Sequence, residues 1–234
     1  MEKVLYVLSV PGGLTSEAVD DLRGPVAAAL RDRGAHAIQV NVADADVAPA
    51  AGLRMDMSGS PADAVLHVWV DSATDHLRRP FDEVVLAVPD ATVSAYLVTE
   101  SVPLRNERFP VEPGARTPGM AQLAFLRRPD GLSVDDWLAI WLGSHTQVAL
   151  DLQDTFAYVQ NVVTRVLIEG PTTWHAIVEE CFPADAMTDP AVFFDAVGDP
   201  GRLARHQREM FESVQRFIDL SIIDVVPTSR YILG

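Results

Sequence analysis

Among the residues of this sequence, His145 is the one best suited to chemistry. Trp141 precedes it by four residues and Trp137 by eight. An imidazole has a reference pKa of about 6.5, so it can take or give a proton near neutral pH. The opposing expectation is a core histidine satisfied by one partner. Tyr158 offers a phenol that can stabilise a developing oxyanion, or else packs as a strand aromatic. Asn161 lies three residues further along the same strand, so it faces the other way. Trp174 supplies a third indole, and His175 follows it. The residues assigned to catalysis are therefore His145 and Tyr158. Those assigned to substrate binding are Trp137, Trp141, Asn161, Trp174 and His175. The chemistry expected is cofactor-free proton transfer on a small apolar carbonyl or aromatic compound, as isomerase, lyase or cyclase. Three other readings stand beside it: a binding protein with no chemistry, a haem or redox protein with His145 as axial ligand, and a scaffold whose pocket is filled by side chains.

Other signatures are missing. No His-x-x-x-His or Cys-x-x-Cys spacing occurs, so no metal site is expected. His175 and Glu179 share a strand face but stand about 13 Å apart. His67 and His175 occupy matching strand positions, which favours a structural role for both. Gly12-Gly13 lacks the rest of a phosphate loop and reads as a turn. Gly-x-Ser-x-Gly is absent. Cys181 is the lone cysteine and reads as a buried, inert thiol.

The elements that carry these residues come as a repeat. Pro11-Gly12-Gly13-Leu14-Thr15 follows the first strand, and Pro129-Asp130-Gly131-Leu132-Ser133 follows a strand at 120–128. Each leads into a helix capped by Thr15 or Ser133. Strand patterns follow at 37–42 and 158–163, then at 65–70 and 173–178, with closing strands near 92–100 and 222–233. Each half thus reads β-α-β-β-α-β, the ferredoxin-like order. Residues 1–101 form a degenerate module, 102–118 a Pro-rich linker and 119–234 the functional module. The fold class is α+β, with two antiparallel sheets packing as an intramolecular α/β-barrel pseudo-dimer; pairing between chains, as a homodimer, is the alternative. In the second module Val134, Trp137, Leu138, Trp141, His145, Val148 and Leu152 share a stripe about 100° wide, which aims His145 at the sheet. The first module has Val19, Arg23 and Ala27 at the positions matching Trp137, Trp141 and His145. A last helix at 200–220, capped by Asp199, buries a stripe that includes Phe211 and leaves His206 solvated.

Phe125-Leu126-Arg127-Arg128-Pro129-Asp130-Gly131-Leu132-Ser133, then Trp137, Trp141, His145 and Tyr158-Val159-Gln160-Asn161, resemble the EthD family of the dimeric α/β-barrel superfamily. The resemblance covers about residues 119–165, and the first half shares it only in outline. The pattern departs at Thr146-Gln147 and at His175. The resemblance implies a pocket between sheet and helices with the helical His near it. It also implies small carbonyl, lactone or polyketide-like substrates, often without a cofactor, while other members bind haem or oxidise quinol-type compounds.

Composition bounds the partners. The 234 residues carry 33 acidic and 18 basic side chains, a net charge of −15. That balance repels nucleic acid and anionic membrane surfaces. No apolar run reaches the roughly 18 residues of a membrane helix. One cysteine and no secretory pattern point to a cytoplasmic protein. The expected partner is a small-molecule substrate, and the expected cofactor is none.

Overall fold

The computed structural model describes residues 1–234. The first half holds strands β1 (Glu2–Ser9), β2 (Ala37–Val42), β3 (Met55–Asp56), β4 (Ala64–Val70) and β5 (Thr92–Leu104). Its helices are α1 (Ser16–Asp21) and α2 (Ala27–Asp32), fused through a π turn at Leu22–Val26, and α3 (Asp75–Leu86). The second half holds β6 (Met120–Leu126), β7 (Ala157–Ile168), β8 (Ala176–Phe182) and β9 (Asp224–Ile232). Its helices are α4 (Val134–Ile140) and α5 (Thr146–Leu152), fused through a π turn at Trp141–His145, then α6 (Pro190–Phe193) and α7 (Pro200–Val214).

Both halves have the ferredoxin-like strand order, β2-β4-β1-β5 and β7-β8-β6-β9. Their edges meet: β5 pairs with β7, and β2 pairs with β9. Eight antiparallel strands therefore close into one barrel, with β3 attached outside β9. Closure leaves no long strand edge open to other chains. The two long strands at one seam are bent by register breaks, at Ala95/Tyr96, Leu97/Val98 and Ser101/Leu104. Strand β5 runs on to Leu104, into the stretch expected as linker.

Alternation along the strands separates an outer face from a lumen. The outer face carries the helices, with separate apolar clusters under each set. The lumen has an apolar layer that includes Leu5, Val65, Tyr96, Leu123, Phe125 and Ile177. Above it lies a polar layer that ties the halves together. Lys3 donates to Glu100 at 2.6 Å and to Asn161 at 2.8 Å. Gln39 donates to Glu179 at 2.7 Å, and Asn41 to Thr228 at 3.1 Å. Arg230 lies 3.2 Å from Glu179. Two cations balance two anions, as burial demands.

Local expectations hold at the caps: Thr15 and Ser133 accept from Ala18 and Asp136, and Asp199 accepts from Arg202. Gly12 and Gly13 adopt φ of 86° and 81°, the left-handed region that a turn without Cβ allows. Others differ. Helix α7 stops at Val214, and Phe211 is 54% exposed because it points away from the barrel. His206 is buried, with Nδ1 2.7 Å from the Phe194 carbonyl, since α6 folds back over it. Strand β8 starts at Ala176, so His175 sits just before it, whereas His67 lies mid-strand in the lumen. The two are not equivalent.

Candidate functional site

The second helix layer is built around its π turn. A π turn frees backbone carbonyls that an α-helix would satisfy. Here hydroxyls add bonds at the turn: Ser144 donates to the Ile140 carbonyl at 2.8 Å, and Thr146 to the Trp141 carbonyl at 3.0 Å, which the Thr146 amide also reaches. Gln160 of β7 donates to the Thr146 hydroxyl at 2.7 Å and anchors the turn to the sheet. The extra residue rotates the C-terminal end of the turn, so His145 meets α7 rather than the sheet. Its Nδ1 is 2.9 Å from the Ser213 hydroxyl, and its ring packs on Phe217 at 4.6 Å. The imidazole is 6% exposed. Burial, aided by the Arg216 guanidinium, lowers its pKa to about 4. The ring is therefore neutral at pH 7.

The indoles stand beside it. Trp137 donates from Nε1 to the Phe217 carbonyl at 2.9 Å and packs on Trp141 at 5.3 Å. Trp137 also meets the His175 ring edge-on at 6.3 Å. Trp141 is fully buried, and its Nε1 has no hydrogen-bond partner. Tyr158 belongs to the same cluster, and burial raises its pKa, so the phenol stays protonated. Five of the seven expected residues are thus contiguous on the outer face: His145, Trp137, Trp141, Tyr158 and His175. Asn161 and Trp174 lie across the sheet. Asn161 accepts from Lys3, and Trp174 packs on Phe125 at 5.7 Å in the lumen cluster. Asn161 is separated from Tyr158 by strand alternation, as the spacing requires. Trp174 is separated from His175 because the chain turns inward just ahead of β8.

Sequence reasoning missed Glu180. It pairs directly with Tyr158 across β7 and β8, on the outer face. Burial alone raises its pKa to about 7, with no cation nearby to offset it. The signal was present as adjacent Glu179 and Glu180 in a strand buried on both faces. Glu179 turns inward to Arg230 and Gln39, while Glu180 turns outward with no partner. Cys181 is sealed, and burial pushes its thiol up to about 12, in keeping with an inert role.

Three openings bear on ligands. Ser213 lines a groove of about 420 Å³ between α5 and α7, with Asp151, Glu209, Glu212 and Arg216 around it. His145 sits one hydrogen bond behind that wall. A second groove of about 750 Å³ lies in the first half between α1–α2 and α3, with apolar Leu14, Leu22, Val26 and Val84. A cavity of about 20 Å³ at the lumen mouth, beside Phe125 and Trp174, has room for one water. No group of three or more His, Cys, Asp or Glu side chains is placed to hold a metal ion. No helix is long and apolar enough to cross a membrane.

No family model matches the chain, and no curated protein is similar to it in sequence. Solved structures are similar in fold. An anthrone oxidase-like protein superposes with a TM-score of 0.62 at 12% identity, covering 100% of this chain and 92% of its own. A candidate monooxygenase from Lactobacillus acidophilus NCFM superposes with a TM-score of 0.51 at 11% identity, covering 100% of this chain and 98% of its own. The fold of this chain is that α/β barrel.

Proposed function

We propose that the chain is a small-molecule-processing enzyme that uses His145 to move a proton on a small apolar carbonyl or aromatic compound, without a cofactor, in the manner implied by its EthD-like helix. The observation that carries this reading is the neutral His145 imidazole, bonded to Ser213 in the wall of an open groove and backed by Phe217 and two indoles. A neutral imidazole can accept a proton, and the Ser213 hydroxyl can pass one between groove and ring. The protonated Tyr158 phenol, buried beside Trp141, is the proposed donor to a developing oxyanion. One similar structure is called anthrone oxidase-like, which fits a small aromatic compound as substrate, and another is called a monooxygenase candidate, which names no substrate class. For oxygenase-like chemistry the same His145 would only deprotonate the compound, with dioxygen as the co-substrate that takes its electrons.

The test is turnover on a panel of aryl ketones and anthrones by wild type, His145→Gln and Ser213→Ala. Loss in both variants with an unchanged circular dichroism spectrum supports the reading. Equal turnover in wild type and His145→Gln overturns it.

A second reading, ligand binding without chemistry, is favoured by the 750 Å³ groove of the first half, which is half apolar and holds no His, Ser or Cys. It predicts thermal stabilisation by an apolar ligand that Val84→Glu removes and His145→Gln leaves intact.

A further inference from the structure

The loops that flank β6 and β8 meet at a second, polar pocket. Leu126 pairs with Ala176, and the His175 amide donates to the Leu126 carbonyl at 2.9 Å, so Arg127 and Arg128 are held beside residues 172–175. The 172–175 loop is itself fixed. Tyr96 donates its phenol to the Thr172 carbonyl at 3.1 Å, and Gly170 abuts Ser94 so closely that an added Cβ would stand 2.7 Å from the Ser94 Cβ. The resulting pocket has a volume of about 350 Å³. Arg127, Arg128, Thr172, Thr173 and His175 line it, with Asp130 at the edge and Ile222 as its one apolar wall.

Apart from Asp130, which accepts, the polar groups here carry donors. The Arg128 amide donates to His175 Nδ1 at 3.0 Å, which places the proton of the neutral ring on Nε2. Burial and the two guanidiniums hold His175 below its ordinary pKa, so the neutral donor form persists at pH 7. Arg128 donates from Nη1 to the Leu132 carbonyl, while its buried Nε has no partner. Arg127 meets Asp130 only at 3.7 Å, and Asp130 is 94% exposed, so that pair is weak. The Thr172 and Thr173 hydroxyls add two further donors. A cluster of two guanidiniums in a chain of net charge −15 is a local exception.

We propose that this pocket binds the oxyanion group, carboxylate or phosphate, of a small molecule, with Arg127, Arg128, Thr173 and the His175 ring as its donors. The pocket shares no lining residue with the His145 groove, although the His175 ring also meets Trp137, and its test reads binding rather than turnover.

Calorimetric titration of the whole chain at low salt, with inorganic phosphate and with benzoate as separate probes, decides it. Saturable binding of either probe by wild type is expected. Arg127→Gln should weaken it on the order of tenfold or more, as expected for loss of a charge-assisted contact, and Ser213→Ala should leave it unchanged. Phosphate alone binding assigns a phosphoryl group, benzoate alone a carboxylate, and both the shared chemistry. If Arg127→Gln fails to fold, Thr173→Val replaces it, with severalfold weakening expected. No saturable binding of either probe, or affinity in the variant within twofold of wild type, overturns the proposal.

Discussion

The two halves share strand order, caps and even the π turn, at Leu22–Val26 in one and Trp141–His145 in the other, yet their helix layers differ in kind. Under the first layer one buried polar set closes on itself, although the Arg23 Nε has no partner. Tyr6 donates to Asp82 at 2.8 Å, and Arg78 donates from Nε to the same carboxylate at 2.9 Å. Under the second layer the polar groups are more isolated: Glu180 has no cation beside it, Trp141 Nε1 has no partner, and His145 is bonded to one hydroxyl. The space is divided the opposite way. The first layer leaves a half-apolar groove of about 750 Å³, while the second packs Phe217 and two indoles under its helices and leaves a smaller, charged groove of about 420 Å³. One sheet plan thus supports a half with the larger, more apolar groove and a half whose indoles, His145 and Glu180 are packed beneath a smaller, charged one. A buried carboxyl without a cation costs stability, so Glu180 beneath the layer that carries His145 is the group here whose retention folding does not explain.

The largest expected effect tests that contrast through activity. His145→Gln should lower turnover about 10²- to 10⁴-fold, the usual loss when a general acid–base is removed, whereas Ala27→Ser at the matching first-half position should leave it unchanged. Packing comes next. Trp141→Ala should cost about 3–5 kcal/mol in urea unfolding, while Ala29→Val, facing the open groove, should stay within about 0.5 kcal/mol. Third, Glu180 carries a pH signature. Its folded pKa of about 7 lies above its ordinary value of 4.5, so the folded state holds the proton more tightly. The stability it contributes is fully present below pH 4.5 and is lost as pH rises through 7. Glu180→Gln should therefore gain on wild type by about 3 kcal/mol between pH 4.5 and 8, measured by unfolding at each pH. His145 runs the other way. With a folded value of about 4 against 6.5, its contribution is present above 6.5 and lost as pH falls toward 4. His145→Phe should flatten the acid limb of the stability profile, and the smallest effect expected is a shift of its midpoint.

Much of this was legible from residue types and spacing. The repeated Pro-x-Gly-Leu-Thr/Ser motif gives the two helix starts, and the alternation of short apolar runs gives the ferredoxin-like order in each half. Cross-seam pairing was less so, because β5 passes through Pro103 before ending at Leu104, and a proline reads locally as a linker. Hydrophobic spacing placed Trp137, Trp141 and His145 on one face, but the π turn that swings His145 toward α7 is held by the Ser144 and Thr146 hydroxyls on its carbonyls and by Gln160 on the Thr146 hydroxyl, and no period reveals it. Glu180 escaped notice since a strand buried on both faces shows no alternation to mark its inward and outward sides. The lumen ion pairs of Lys3, Glu100, Glu179 and Arg230 join residues that meet only on barrel closure.

The rate at which an apolar aryl ketone such as 2-tetralone takes up deuterium from D₂O at the carbon beside its carbonyl reads proton transfer alone, with no product needed. Wild type is expected to speed this exchange, and His145→Gln to return it to the solvent rate. Equal rates with the two proteins would contradict a proton-transfer role for His145.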